Sequence, residues 1–262
     1  MQTEKVINHI VNWLKDYAMK ANIKGFVVGI SGGIDSAVTS SLCAKTGLET
    51  LCVEMPIHQA PSHVTRAQEH ISQLKNKFKN VSDTRVDLTP VFEEFKRVAP
   101  KAEDQGQLNL ALANTRARLR MTSLYYLAGL YGYLVAGTGN KIEDFGVGFY
   151  TKYGDGGVDI SPIADLLKSE VYKIGNALDV PDSIQVAVPT DGLFGDSRSD
   201  EDQIGASYDE LEWAMKMQEK GKSSDDFSGR ELEVFKIYSR LNTVNQHKMI
   251  PIPVCKIPFN LL

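Results

Sequence analysis

The chain has 262 residues, 42% of them hydrophobic and 24% charged, with a formal net charge of −4. That length suits one large α/β domain, or one with a helical appendage, and the composition excludes a disordered chain. The negative balance speaks against a nucleic-acid partner. The apolar runs are too short to cross a membrane or to serve as a secretory signal, so the reading is a cytoplasmic protein.

Val6, Ile10, Trp13, Leu14, Tyr17 and Ala18 recur at helical spacing and predict an amphipathic first helix. Gly25–Ile30 is a short apolar run with β-branched residues and predicts a fully buried strand. A Ser/Gly turn leads to a helix over about 37–45. Residues 50–54 read as a second strand and 62–78 as a helix. Residues 85–88 read as a third strand, and Thr89-Pro90 as the cap and first turn of the next helix. A polar loop over 99–107 precedes one long helix, 108–131. Tyr133–Ala136 reads as the fourth strand, and 137–160 is glycine-rich and irregular. Helices follow over about 166–178, 201–220 and 229–245, the last opened by a capping box, Ser228-x-x-Glu231. Strands alternating with helices imply α/β architecture: a Rossmann-like, three-layer α/β/α sandwich around a twisted parallel sheet. Ligands of such sheets bind beyond the carboxyl ends of the strands. The turns after residues 30, 54 and 137 lie there.

Ser31-Gly32-Gly33-Ile34-Asp35-Ser36 links the first strand to a helix. The glycines permit close backbone approach, and the helix start offers unpaired N–H groups to an anion. The lysine of a Walker A loop is missing. Asp35 would repel a phosphate unless a divalent cation lay between them. The plain alternative is a strand-to-helix turn with a polar N-cap. Cys43, Cys52 and Cys255 have neither CxxC nor metal-ligand spacing, and read as buried free thiols in a reducing compartment. His9, His58, His63 and His70 form no metal set.

GISGGIDSA, residues 29–37, resembles the signature loop of the ATP pyrophosphatases, which have the adenine nucleotide alpha-hydrolase-like fold. They cleave ATP between the α and β phosphates and adenylate a substrate. Within them, three segments resemble the ammonia-dependent NAD synthetase family: NTRARLRM from Asn114, Gly137-Thr138 with Glu143, and above all YTKYGDGGVD, residues 150–159. Pro189-Thr190, Asp200-Glu201 and His247-Lys248 follow in that family's order, so the likeness runs over about residues 5–250. Two segments depart from it. Residues 191–199 lack a tryptophan and glutamine-rich stretch, and Glu54-Met55-Pro56 lacks an arginine found in some relatives.

The resemblance implies condensation of deamido-NAD with ammonia, driven by ATP through an acyl-adenylate, with release of AMP and pyrophosphate. Gly29, Ile30, Ser31, Gly32, Gly33, Ile34, Asp35, Ser36, Thr138, Lys168 and Thr190 are the ATP-binding candidates. Asp35 and Glu143 are the candidates for Mg2+, and Asp35 and Lys168 for catalysis. Asp155 is the candidate to orient or deprotonate ammonium. Arg118, Lys152, Asp159, His247 and Lys248 are the candidates for deamido-NAD. Arg116 and Arg120 share a helix face that Arg118 does not, and are read as salt-bridge or subunit-interface residues. A homodimer is implied, with the long 108–131 helix as an interface element. The chain is read as a single synthetase domain, 1–262, with no glutaminase domain. The alternatives are an ATP pyrophosphatase with another acceptor, or a nucleotide-binding module without catalysis.

Overall fold

A computed structural model describes residues 1–59, 61–190 and 199–262. The departure at 191–198 therefore lies outside the described residues. Helix α1 (Thr3–Lys20) leads to β1 (Gly25–Gly29), α2 (Ile34–Lys45), β2 (Glu49–Glu54), α3 (Pro61–Lys77) and β3 (Val81–Arg85). Then come α4 (Thr89–Val98), α5 (Gln105–Tyr131) and β4 (Tyr133–Val135). Among the described residues the sheet has four parallel strands in the order β3-β2-β1-β4.

Alternation along the strands builds the two faces. Phe26, Val28 and Cys52 point into a core shared with Leu14 of α1, Leu42 of α2 and Ile71 of α3. Val27, Leu51 and Val53 point the other way, onto Phe92 of α4 and Leu127 of α5. The sandwich is thus three-layered, as the alternation of strands and helices predicts. β1 lies between two partners and both of its faces are covered, hence its unbroken apolar run.

Beyond β4, a π-helical turn (Ile142–Val147) precedes α6 (Lys168–Ala177) and the short α7 (Asp182–Gln185). A helical appendage follows: α8 (Asp200–Ile204), α9 (Tyr208–Glu219) and α10 (Gly229–Met249). It has its own core, in which Leu211, Phe235 and Tyr238 pack against Ile142 and Val147 of the π turn. Among the described residues no helix is long and apolar enough to cross a membrane.

Several elements differ from the sequence reading. The third strand is Val81–Arg85, not 85–88; as an edge strand it buries only Val81 fully, so it lacks the apolar signature, and Leu88 serves the core from beyond its end. The second helix begins at Ile34, because Gly33 takes the N-cap position in extended conformation. Asp35 and Ser36 therefore occupy the first turn. Thr89 is the first residue of its helix, not the cap; its N–H donates to the Asp87 carboxylate at 2.9 Å. The 201–220 helix is two helices, broken at Gly205 with φ 88°. Ser228 is an N-cap residue without a side-chain capping bond, so the box predicted there is not formed; boxes form instead at Ser199 with Asp202 and Ser207 with Glu210. Trp13 and Tyr17 flank the buried stripe of α1 and remain exposed, and Cys255 is exposed while Cys43 and Cys52 are buried.

Candidate active site

A cleft of about 280 Å3 opens at the carboxyl ends of β1, β2 and β4, the place the parallel topology dictates. Its floor is the loop Gly29–Ser36. Gly32 adopts φ +82°, and a β-carbon there would sit 2.6 Å from the His63 carbonyl oxygen of α3. A side chain is excluded twice over, by conformation and by space. The loop hydroxyls brace the turn: Ser36 Oγ donates to the Gly33 carbonyl at 2.9 Å, and Ser31 Oγ accepts from the Gly33 N–H at 3.2 Å. The first turn of α2 directs its N–H groups toward the cleft, which suits an anion.

Three charged side chains from three elements meet at the edge of this loop. Asp35 comes from the first turn of α2, Glu143 from the π turn, and Lys168 from the first residue of α6. Lys168 Nζ donates to Asp35 Oδ2 at 2.6 Å and to Glu143 Oε1 at 3.0 Å. Lys168 is only 3% exposed. Burial alone would lower its pKa, but the two carboxylates outweigh that and raise it, so the side chain is an ammonium ion. Buried Asn140 locks the pair. Its amide donates to Asp35 Oδ1 at 3.1 Å, and its oxygen accepts from the Glu143 N–H at 3.2 Å. Residue spacing gave no sign of Asn140.

Thr138, Thr190 and Asp155 also line the cleft, as the sequence reading requires. The Asp155 carboxylate opens onto it and accepts from the Thr151 N–H at 3.0 Å. Asp155 keeps an exposed surface as a residue, yet the protein crowding its carboxyl raises its pKa to about 6, against that hydrogen bond. Asp144 belongs to the π turn itself, its pKa raised to about 7 by burial and by the charges of Glu143, Asp155 and Asp35.

The far end of the cleft is lined by Glu54, Met55, Gln59 and Arg120. Arg120 Nε donates to the Met55 carbonyl at 3.1 Å, and its terminal nitrogen donates to Gln59 Oε1 at 2.9 Å. Arg120 thus lines the cleft. Arg116, on the same side of α5, lies 4.2 Å from the Phe92 ring centroid. The helical angle correctly separated both from Arg118 but did not say which face met the cleft.

Arg118, Lys152, His247 and Lys248 lie outside the cleft but near one another. The Arg118 guanidinium donates to the Lys152 carbonyl at 3.3 Å, and Lys152 Nζ donates to the His247 carbonyl. Lys248 Nζ donates to the Gly148 and Tyr150 carbonyls at 2.8 Å each. Asp159 does not join them. It accepts from Tyr125 Oη at 3.0 Å and from the Val135 N–H at 2.8 Å, beside a second concavity lined by Trp13 and Tyr17.

A glycine turn at the end of a parallel strand, with two carboxylates and an ammonium gathered at its edge, marks an enzyme of the adenine nucleotide alpha-hydrolase-like fold. The family model described as NAD synthase matches residues 6–251, and the chain belongs to that family, whose curated members are ligases. An NH(3)-dependent NAD(+) synthetase of Mesoplasma florum is 39% identical over 213 residues, covering 81% of this chain and 84% of that protein. One of Methanosarcina mazei is 34% identical over 260 residues, covering 97% and 98%. Among solved structures, the NMN synthetase from Francisella tularensis superposes with a TM-score of 0.81 at 32% identity, covering 99% of each chain. The NH3-dependent NAD synthetase of Campylobacter jejuni superposes with a TM-score of 0.78 at 22% identity, which speaks for the fold alone.

Proposed function

We propose that this protein amidates deamido-NAD with ammonia at the expense of ATP, in the last step of NAD biosynthesis, with sheet and appendage working as one catalytic unit in the cytoplasm. The observation that carries this reading is the meeting of Asp35, Glu143 and Lys168 at the edge of the loop 31–36. The N–H groups of that loop receive the β and γ phosphates of ATP. Arg120, Gln59 and the Met55 backbone flank the base. The nicotinate carboxylate then attacks the α-phosphorus, pyrophosphate departs along the loop, and ammonia displaces AMP from the acyl-adenylate.

The donor set fits Mg2+. Two carboxylates already converge on one cation, the Lys168 ammonium, and hard oxygen ligands completed by phosphates and water suit this ion. Asp35 and Glu143 would hold it, and it would neutralise charge building on the departing pyrophosphate. Lys168 turns its ammonium from the carboxylates to the phosphate chain. Asp155 faces the incoming ammonium, and a pKa near 6 leaves it ionised at neutral pH yet able to accept a proton. Arg118, Lys152, His247 and Lys248 supply positive charge for the dinucleotide's own phosphates. Asp159 offers a carboxylate to its hydroxyls from the neighbouring concavity. The functional unit is a homodimer.

A second reading has one observation in its favour, the match to the NMN synthetase structure over 99% of both chains: the acceptor would be the mononucleotide. Pyrophosphate release from ATP, measured with ammonium and either deamido-NAD or nicotinate mononucleotide, tests both. Release dependent on deamido-NAD supports the first reading, release dependent on the mononucleotide supports the second, and release with neither overturns both.

A further inference from the structure

The geometry points to Tyr208, at the first residue of α9, as a positioning residue for the carboxylate and ammonium of the active site. Tyr208 Oη lies 2.6 Å from Glu143 Oε1 and 3.3 Å from Asp200 Oδ2. Both acceptors are carboxylates, and its one proton goes to Glu143, by far the shorter contact. The face of the same ring lies 4.7 Å from Lys168 Nζ, within cation–π range. One buried side chain thus touches two members of the triad through two different groups, the hydroxyl on Glu143 and the ring on Lys168.

The placement matters because Lys168 must leave Glu143 when a nucleotide arrives. In this structure the ammonium occupies the space between the carboxylates. Once it turns to phosphate, Glu143 loses that restraint, and the Tyr208 hydroxyl is the side-chain bond that continues to aim its carboxylate. Tyr208 is rigidly set: its ring belongs to the core of the appendage, and its N–H donates to Glu201 Oε1 at 2.8 Å. It therefore makes the appendage, which shares no strand with the sheet, part of the catalytic geometry.

This inference rests on the proposed assignment of Glu143 to Mg2+, and its test is separable from that reading. Tyr208→Phe keeps the ring and removes the hydroxyl; Tyr208→Leu removes both. Binding of Mn2+ in the presence of a non-hydrolysable ATP analogue, followed by electron paramagnetic resonance, reports the site without turnover. We expect Tyr208→Phe to weaken Mn2+ binding about tenfold, the scale for a group that orients a metal ligand. We expect nucleotide affinity to be nearly unchanged in Tyr208→Phe and reduced in Tyr208→Leu. In a Glu143→Gln background Tyr208→Phe should produce no further loss, because the hydroxyl acts through that carboxylate. If Tyr208→Phe lowers the melting temperature but leaves Mn2+ affinity intact, the residue is structural and the inference fails. If it weakens Mn2+ binding equally with Glu143→Gln present, the route through Glu143 is wrong. Should both variants unfold, wild-type 13C-labelled tyrosine remains diagnostic: the Tyr208 resonance must shift on Mn2+-free Mg2+ addition with nucleotide, and an unmoved signal overturns the proposal. Failure of the functional reading would instead appear as wild-type protein that binds metal and nucleotide but forms no amide.

Discussion

Lys168 Nζ lies 2.6 Å from Asp35 Oδ2 across a separation of 133 residues. With Glu143 on its other side, the ammonium is the counter-charge for two largely buried carboxylates, each only 16% exposed at the cleft wall. Lys168→Met should therefore do more than remove a phosphate contact. Breaking a buried pair by deleting one partner costs about 3–5 kcal/mol. Burial already raises the pKa of Asp35 against the pull of Lys168, so without the ammonium this carboxyl favours its protonated form more strongly. The loss is then greatest at pH 8 and shrinks on acidification. Thermal melts of Lys168→Met at pH 5 and pH 8, with and without Mg2+, should show the larger deficit at pH 8 and partial rescue by the ion. Turnover should fall at least about a hundredfold, as for loss of a charge-stabilising donor. A variant that melts like wild type at pH 8 would show that the ammonium does not balance this pair.

The phosphate loop separates its two glycines. At Gly32 an alanine would meet the His63 carbonyl oxygen at 2.6 Å and must hold φ +82°, whereas at Gly33 it would meet only Ser31 Oγ, at 3.3 Å. Strain of the first kind costs of order 1–3 kcal/mol. Gly32→Ala should lower the melting temperature and weaken ATP binding, because the turn relaxes by moving the N–H groups proposed to hold phosphate. Gly33→Ala should fold normally. Calorimetric titration with an ATP analogue distinguishes the two, and equal affinities in both variants would mean that the turn is not the cradle.

What the sequence disclosed divides by the range of the interactions involved. β1, the glycine turn and the start of α2 are contiguous, and each is set by local chemistry: apolar burial, positive φ and free N–H groups. That part of the site was readable from one stretch. Glu143 and Lys168 carry no local signal. A glutamate in a glycine-rich loop and a lysine at a helix start look like solvated charges, and only family resemblance singled them out. Asn140 and Tyr208 escaped even that, and Arg120, inside the NTRARLRM segment, was read for salt bridges or an interface and not for the cleft, because what they do depends on which helix faces which strand end. The third strand was misplaced for a related reason: an edge strand that buries one residue has no periodicity to read. The predicted 201–220 helix runs through Gly205, which in the structure takes φ 88° as the C-cap of α8.

The role proposed for Asp155 ties the ammonia step to pH. Its folded-state pKa is raised from 3.8 to about 6, so the folded protein holds this proton more tightly than the unfolded chain. The sign follows: its contribution to stability falls as pH rises from about 4 through about 6, and is flat above. Asp155→Asn should remove that fall and raise the melting temperature more at pH 8 than at pH 5. Exchange of labelled pyrophosphate into ATP, which needs no ammonia, should survive in this variant. The ammonium-dependent rate should drop by about 100-fold or more, the lower range for loss of a positioned base. Equal losses in exchange and amidation would move Asp155 from the ammonia step to the adenylation step.

The long helix α5 makes a prediction about assembly. Its inner side packs on the sheet through Leu127 and Ala128, while Tyr126 and Leu130 are 69% and 60% exposed. The tail after α10 adds Ile252, Val254 and Phe259, all exposed. Exposed apolar side chains on a helix and on a tail are surface that a subunit contact can bury. A second copy would cover it, and Arg118, on the same helix, would then stand at the boundary between subunits. Leu130→Asp places a charge where that contact would form, without touching the inner side of α5. Sedimentation equilibrium should find wild type as a dimer and the variant as a monomer with an unchanged circular dichroism spectrum. The variant's KM for the nicotinate substrate should rise more than its KM for ATP, because the cleft at the loop 31–36 lies within one chain while Arg118 faces outward. A monomeric wild type, or a dimeric variant with unaltered kinetics, would remove α5 from the interface.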